Sequence, residues 1–143
     1  MEILTEGNKI LQLKSKRVSR IDDTIRNFCA SMIGTMISAE GVGLAAPQVG
    51  LSKRIIVFLY DNKEPRVLIN PEIIKFSDKQ SNYEEGCLSV PGKVITIKRP
   101  ETIKVKFREL SGHPKIESFV GLNARIIQHE IEHLDGILIS DYV

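Results

Sequence analysis

No run of apolar residues in the chain approaches the ~20 that a helix needs to cross a bilayer, so a helical membrane protein is excluded. The N-terminus, MEILTEGNKILQLKSKRV, lacks the basic start and apolar core of a secretory signal, and it also lacks the acid-free character of a transit peptide. The expected compartment is therefore the cytoplasm, with no membrane partner. Cysteine is scarce: Cys29 and Cys87 could form one bridge at most, so in a reducing compartment each is expected as a packing residue or a ligand. Charge of one sign is missing too. With 20 basic against 18 acidic side chains the net charge is +2, too balanced for a nucleic-acid-binding surface. Repeats, low-complexity segments and long linkers are absent, so residues 1–143 are expected to form one domain, long enough to bury a core without staples.

What is present reads as alternating helix and strand signals. In IDDTIRNFCASMIGTMISAE, residues Ile21, Ile25, Phe28, Cys29, Met32, Ile33, Met36 and Ile37 recur at helical spacing, and Asp22 and Asp23 suit a helix start. Cys29 and the methionines lie in that apolar stripe and are expected to be core packing. RIIVFLY, RVLIN and EIIKF read as strands, the last two separated by Asn70-Pro71. KVITIK, TIKVKFRE and KIESFV alternate with period two and predict an antiparallel meander with one wet face carrying Lys104, Lys106 and Arg108. A last helix is predicted from near Gly121 through LNARIIQHEIEHL, stopping at Asp135-Gly136. The fold class expected is α+β, with small, mostly antiparallel sheets around a C-terminal helix and a further N-terminal amphipathic helix.

The chemistry concentrates in QHEIEHLDG. Residues four apart share a helix face, so His129 and His133 can offer ring nitrogens to one ion, while Glu130 lies close enough to act as a base. Alone, the pair is equally compatible with two incidental surface histidines. A third ligand decides the matter. The extended zinc-protease signature needs a histidine where this chain has Ile139, and only seven residues follow Gly136, too few for a later helix bearing a glutamate ligand. Asp135 and Asp141 remain open, but Asp135 points to another face of the helix. Upstream, Cys87 in YEEGCLSVPG is the stronger candidate, because a thiolate with two imidazoles suits zinc or ferrous iron. Taken by itself it could equally be a buried small hydrophobe.

Three segments in order, GVGLAAPQVG (residues 41–50), EEGCLSVP (84–91) and QHEIEHLDG (128–136), resemble the three signatures of the peptide deformylases, and the similarity extends over nearly the whole chain. The resemblance implies hydrolysis of the formyl group from the N-terminal formylmethionine of new polypeptides, with release of formate. It implies one divalent metal, Fe2+ first and Zn2+, Ni2+ or Co2+ as alternatives, on Cys87, His129 and His133. A cation in such a site lowers the pKa of a water, and Glu130 is the implied proton acceptor and donor. The implied oxyanion donors are the Gln48 side chain and the Leu88 backbone N–H. Val42, Gly43 and Glu85 are implied to face the substrate backbone, Leu122 and Ile126 to line a methionine pocket, and Arg99 to pair with Glu132. Gly41 and Gly43 allow close approach, so the segment before Gln48 can serve as an edge to which a peptide adds as a strand. Partners implied are formylated nascent peptides and transient proximity to the ribosome, with the protein a monomer.

The chain departs from the family pattern at three places. The helix signature usually reads HExDH, and Glu132 is one methylene longer. Val94 stands where many bacterial members have an arginine that binds substrate carbonyls, which bears on substrate preference. Longer members continue into a further helix used in some cases for ribosome docking, and with the sequence stopping at Val143 that route is not expected. Two rival readings are a metallopeptidase or amidase on unformylated peptides, and a deformylase-like binding protein without turnover. Intact Glu130 and Gln48 weigh against the second.

Overall fold

A computed structural model describes the whole chain, Met1–Val143. Its elements run α1 (Asp23–Ser38), β1 (Gly43–Ala45), β2 (Ile55–Tyr60), β3 (Glu64–Phe76), β4 (Gln80–Cys87), β5 (Val90–Pro100), β6 (Thr102–Arg108), β7 (Pro114–Val120) and α2 (Gly121–Leu134), with short 3₁₀ turns at Lys9–Gln12, Ala46–Val49 and Ile139–Tyr142. A five-stranded antiparallel sheet has the order β1-β2-β3-β6-β7, and β4 and β5 form a separate two-stranded sheet. The fold is α+β, as the sequence predicts.

The apolar run of β2 shows no polar alternation because both of its faces are covered. Ile56 and Phe58 pack with Leu68, Val105, Phe119, Ile127 and Leu134 beneath α2, whereas Ile55 and Val57 join Cys29, Met32 and Met36 of α1. Phe119 meets Phe58 edge-on with ring centroids 6.0 Å apart, a geometry favoured by the ring quadrupoles. Cys29 and the two methionines are core residues, but Ile37 is 53% exposed and lies outside the stripe it was expected to join. β6 alternates as predicted, with Ile103, Val105 and Phe107 buried and Lys104, Lys106 and Arg108 exposed.

Two strand expectations need correction. RVLIN and EIIKF are one strand, β3, that continues through Asn70-Pro71 with a shift of register between Ile69 and Glu72. Asn70 takes φ +52° there, and its buried side chain accepts from Val18 N at 2.7 Å and donates to Val18 O at 2.8 Å. The bulge leaves Pro71 where no ladder N–H is required. The three-stranded meander is also not formed: β5 pairs with β4, and β6 pairs with β3 and β7. Between β5 and β6 the chain passes from one sheet to the other at Pro100-Glu101. β4 itself, QSNYEEGC, has no strand-like pattern and is not among the strands the sequence predicts.

α2 runs between the two sheets, which explains why Ala124 through Ile131 are all buried. Each fully buried isoleucine or leucine on it contributes roughly 1.5–3 kcal/mol relative to exposure. The helix stops where predicted. Gly136 has φ +78°, and a Cβ there would meet Gln12 O at 2.5 Å, so glycine alone fits both the left-handed exit and the packing.

Candidate active site

The burial of α2 makes its histidines internal groups, and the two-stranded sheet brings the sulfur to them. Cys87 ends β4, and its Sγ lies 3.2 Å from His133 Nε2. One ligand atom from each of Cys87, His129 and His133 lies within 4.8 Å of the others. A thiolate and two imidazoles at that spacing suit a borderline-soft divalent cation and leave further coordination positions open. Asp135 instead binds Arg54 at 2.9 Å, and Asp141 accepts from Leu138 N at 2.9 Å, so neither joins the cluster.

His129 is oriented from behind. Its Nδ1 donates to Glu85 Oε1 at 2.9 Å, so Nε2 is the nitrogen left for a cation. Burial acts to lower the imidazole, but Glu130, Cys87 and Glu85 outweigh it and raise it to about 10, so a bound cation would take the place of a proton on Nε2. Glu85 also accepts from Arg99 Nε at 2.6 Å and Nη2 at 3.0 Å, and from Arg125 Nη1 at 2.6 Å. Burial acts to raise Glu85, but the hydrogen bonds from His129 and Arg99 outweigh it and hold the carboxylate down at about 2. Both side-chain oxygens of Glu85, a residue implied to face the substrate, are thus occupied by internal partners, while the residue itself lies in the wall of the cleft. Arg99 binds Glu132 Oε1 at 2.7 Å, so the longer acid still reaches it, and Glu132 Oε2 accepts from the Tyr142 hydroxyl. Burial and the neighbouring His129 and Arg99 push His133 down to about 3, which keeps it neutral.

Glu130 sits in the same pocket with its Oε1 buried and without a hydrogen-bond partner. Burial, reinforced by Glu85 and opposed by His129 and Arg99, pushes its carboxyl up to about 7, the range in which a side chain can both take and give a proton near neutrality. Gln48, in the turn Ala46–Val49, is fixed at both ends of its amide. Oε1 accepts from Ala45 N at 2.8 Å, while Nε2 donates to Ser89 Oγ at 3.0 Å and lies 3.7 Å from Cys87 Sγ.

A cleft of about 400 Å³ opens onto these groups, its walls including Val42, Gly43, Leu88, Leu122, Ile126 and Tyr83. Leu122 is 49% exposed at its mouth, and Ile126 is buried one turn further along α2. β1 is an edge strand, hydrogen-bonded to β2 on one side only. Val94, on β5, is 65% exposed and is not among the lining residues.

Sequence reasoning missed three contributors. Ser89 is fully buried, accepts from Gln48 and donates to Leu4 O at 2.6 Å. Arg125 lies inside the predicted last helix with no role assigned by the sequence, and Tyr142 lies beyond that helix. An arginine inside the buried register of α2 was a usable signal, because a buried cation needs partners.

The comparisons with known proteins agree with this geometry. The family model described as polypeptide deformylase matches residues 1–143. A peptide deformylase of Picosynechococcus sp. is 47% identical, the match covering 100% of this chain and 79% of that protein. A probable peptide deformylase from Synechococcus phage S-SSM7 superposes with a TM-score of 0.95 at 39% identity, covering 100% of this chain and 99% of the phage chain. A peptide deformylase from Synechococcus elongatus, solved in complex with actinonin, superposes at 0.96 with 43% identity over 100% of this chain and 78% of its own. A family match over every residue, relatives this similar and a fold this close together make the chain a member of the polypeptide deformylase family.

Proposed function

We propose that the family's reaction, hydrolytic removal of the N-formyl group from the N-terminal methionine of newly made polypeptides, is carried out here by one divalent cation on Cys87, His129 and His133 with Glu130 beside it. The observation that carries this reading is the convergence of those three ligand atoms next to a buried, unpartnered Glu130 oxygen. Fe2+ is the proposed ion, with Zn2+, Ni2+ and Co2+ able to occupy the same donor set. When bound, it supplies Lewis acidity that activates a water and polarises the formyl oxygen.

The protein's own groups do the rest. Glu130 takes the proton of the attacking water and returns it to the departing amine, so one carboxylate serves both steps. Gln48 Nε2 and the Leu88 N–H donate to the oxygen as charge develops on it. The Ser89 and Ala45 bonds hold the amide in place beforehand, which spares reorganisation during the reaction. The free edge of β1, with Val42 and Gly43, takes the substrate backbone as an added strand. Leu122 and Ile126 receive the methionine side chain, whose apolar surface suits the wall they form.

We further propose that residues 1–143 act as one catalytic domain, supported by an α2 that contributes to the core and to the site alike. The proposed compartment is the cytoplasm, where nascent chains are made and where a ligand thiol stays reduced. Formate release from formyl-Met-Ala-Ser by anaerobically prepared, iron-loaded protein tests the reading. Release that stops on chelation and is restored by Fe2+ supports it, whereas hydrolysis of unformylated Met-Ala-Ser instead would point to a peptidase.

A further inference from the structure

The three proposed ligands come from two bodies that share no backbone hydrogen bond. Cys87 belongs to the β4–β5 hairpin, and both histidines belong to α2. The hairpin is not part of the five-stranded sheet, and no main-chain bond runs from it to the helix. The distance between sulfur and imidazoles is therefore set by side chains that cross the gap.

Arg125 makes three of those crossings. Its Nη2 donates to Ser81 O on β4 at 2.7 Å, and its Nη1 donates to Ile97 O on β5 at 3.0 Å and to Glu85 Oε2 at 2.6 Å. Both strands of the hairpin and the acid behind His129 thus converge on one guanidinium, itself 7% exposed and one helical turn before His129. The Tyr83 ring, on β4, lies 5.6 Å from its central carbon. The planar fork reaches two strands at once, which a lysine ammonium on a single point cannot do. Arg99 and Arg125 face Glu85 and Glu132, so the cluster is balanced in charge.

We propose that Arg125 is a positioning residue that fixes the spacing between Cys87 and the histidines by pinning the β4–β5 hairpin to α2. The proposal rests on the reading that Cys87, His129 and His133 hold the metal. It differs in sign from a simple electrostatic role. Loss of a positive charge near the site strengthens cation binding, whereas loss of the pin weakens it.

The test is Co2+ binding to the apoprotein, followed by competition with a chromophoric chelator and by the thiolate-to-cobalt absorption band. Wild type, Arg125→Met, Arg125→Lys and Cys87→Ser are compared, with far-ultraviolet circular dichroism as the check on folding. Wild type is expected to bind one Co2+ with the thiolate band, and Cys87→Ser to lose the band. Both Arg125 variants are expected to stay folded and to bind about 10–100-fold more weakly with an altered band, the loss typical when a ligand's supporting partner is removed. Wild-type affinity in either Arg125 variant, or tighter binding in Arg125→Met, overturns the proposal while leaving the ligand assignment intact. Loss of fold in both variants also overturns it, since the arginine would then hold up the domain. Absence of Co2+ binding by wild type removes the ligand assignment, and this inference with it.

Discussion

Gly43 and Glu130 are in contact across the cleft: a Cβ at residue 43 would lie 2.5 Å from Glu130 Oε2 and 2.9 Å from Ile126 Cγ2. The glycine is what leaves room for the carboxylate. Gly43→Ala is expected to push Glu130 out of place and lower kcat by about 10²-fold or more, within the range attributed to positioned general acid–base groups. Metal content is expected to stay at the wild-type level. Steady-state formate release alongside metal analysis checks this, and unchanged kcat would show that Glu130 has slack.

Ser89 holds Gln48 by accepting from Nε2 at 3.0 Å. Gln48→Leu removes the proposed donor and is expected to lower kcat by about 10²–10³-fold with metal and fold retained. Ser89→Ala only loosens that donor, so a loss of about tenfold is expected, equivalent to roughly one hydrogen bond. The double variant is expected to be no slower than Gln48→Leu alone, because the serine acts through the glutamine. Additive losses in kcat would refute that dependence.

Glu85 balances two buried arginines and orients His129. Glu85→Gln is expected to weaken metal binding by about 10–100-fold. It is also expected to cost about 3–5 kcal/mol of stability, since a buried cation is left without its counter-charge. Chelator competition and urea unfolding measure the two effects separately. Wild-type values in both would mean that the cluster is not what holds His129.

The sequence carried the helices well because their signals are local. α2 begins at Gly121 and stops before Gly136 as its spacing and glycine exit predict. The same locality misled at Asn70-Pro71. A left-handed Asn70 satisfied by distant Val18 lets β3 continue as one strand, and nothing near residue 70 announces that partner. Pairing was the least legible level: β5 and β6 carry the same alternation, but only their neighbours in space decide that they belong to different sheets. At the site, the residue types of Cys87, His129, His133 and Glu130 convey chemistry on their own, and the structure brings them together. The partners of the Glu85 side chain were not legible, because Arg99, Arg125 and His129 arrive from other elements.

Away from the site, Arg66 grips Glu117 through two bonds of 2.9 and 2.7 Å and lies 5.0 Å from the Tyr60 ring centre. The hydrogen bond from Arg66 lowers the Glu117 pKa, with burial opposing it. A depressed carboxylate contributes stability that is complete above its unfolded value near 4.5 and is lost as pH falls through its folded value. The pair is partly solvated, so about 1 kcal/mol is expected at pH 7. Glu117→Gln should therefore be destabilised relative to wild type at pH 7 and nearly equal to it at pH 2. Urea unfolding at the two pH values checks this, and a difference that persists at pH 2 would contradict the ionic origin.

The proposed metal on Cys87, His129 and His133 is expected to work together with Glu130 as the proton carrier. Formate release from a formyl-Met peptide, measured for wild type and Glu130→Ala loaded with the same metal to the same stoichiometry, tests it most directly. The predicted result is equal metal content with turnover reduced by about 10²–10⁴-fold in the variant. Equal turnover at equal metal content would contradict it.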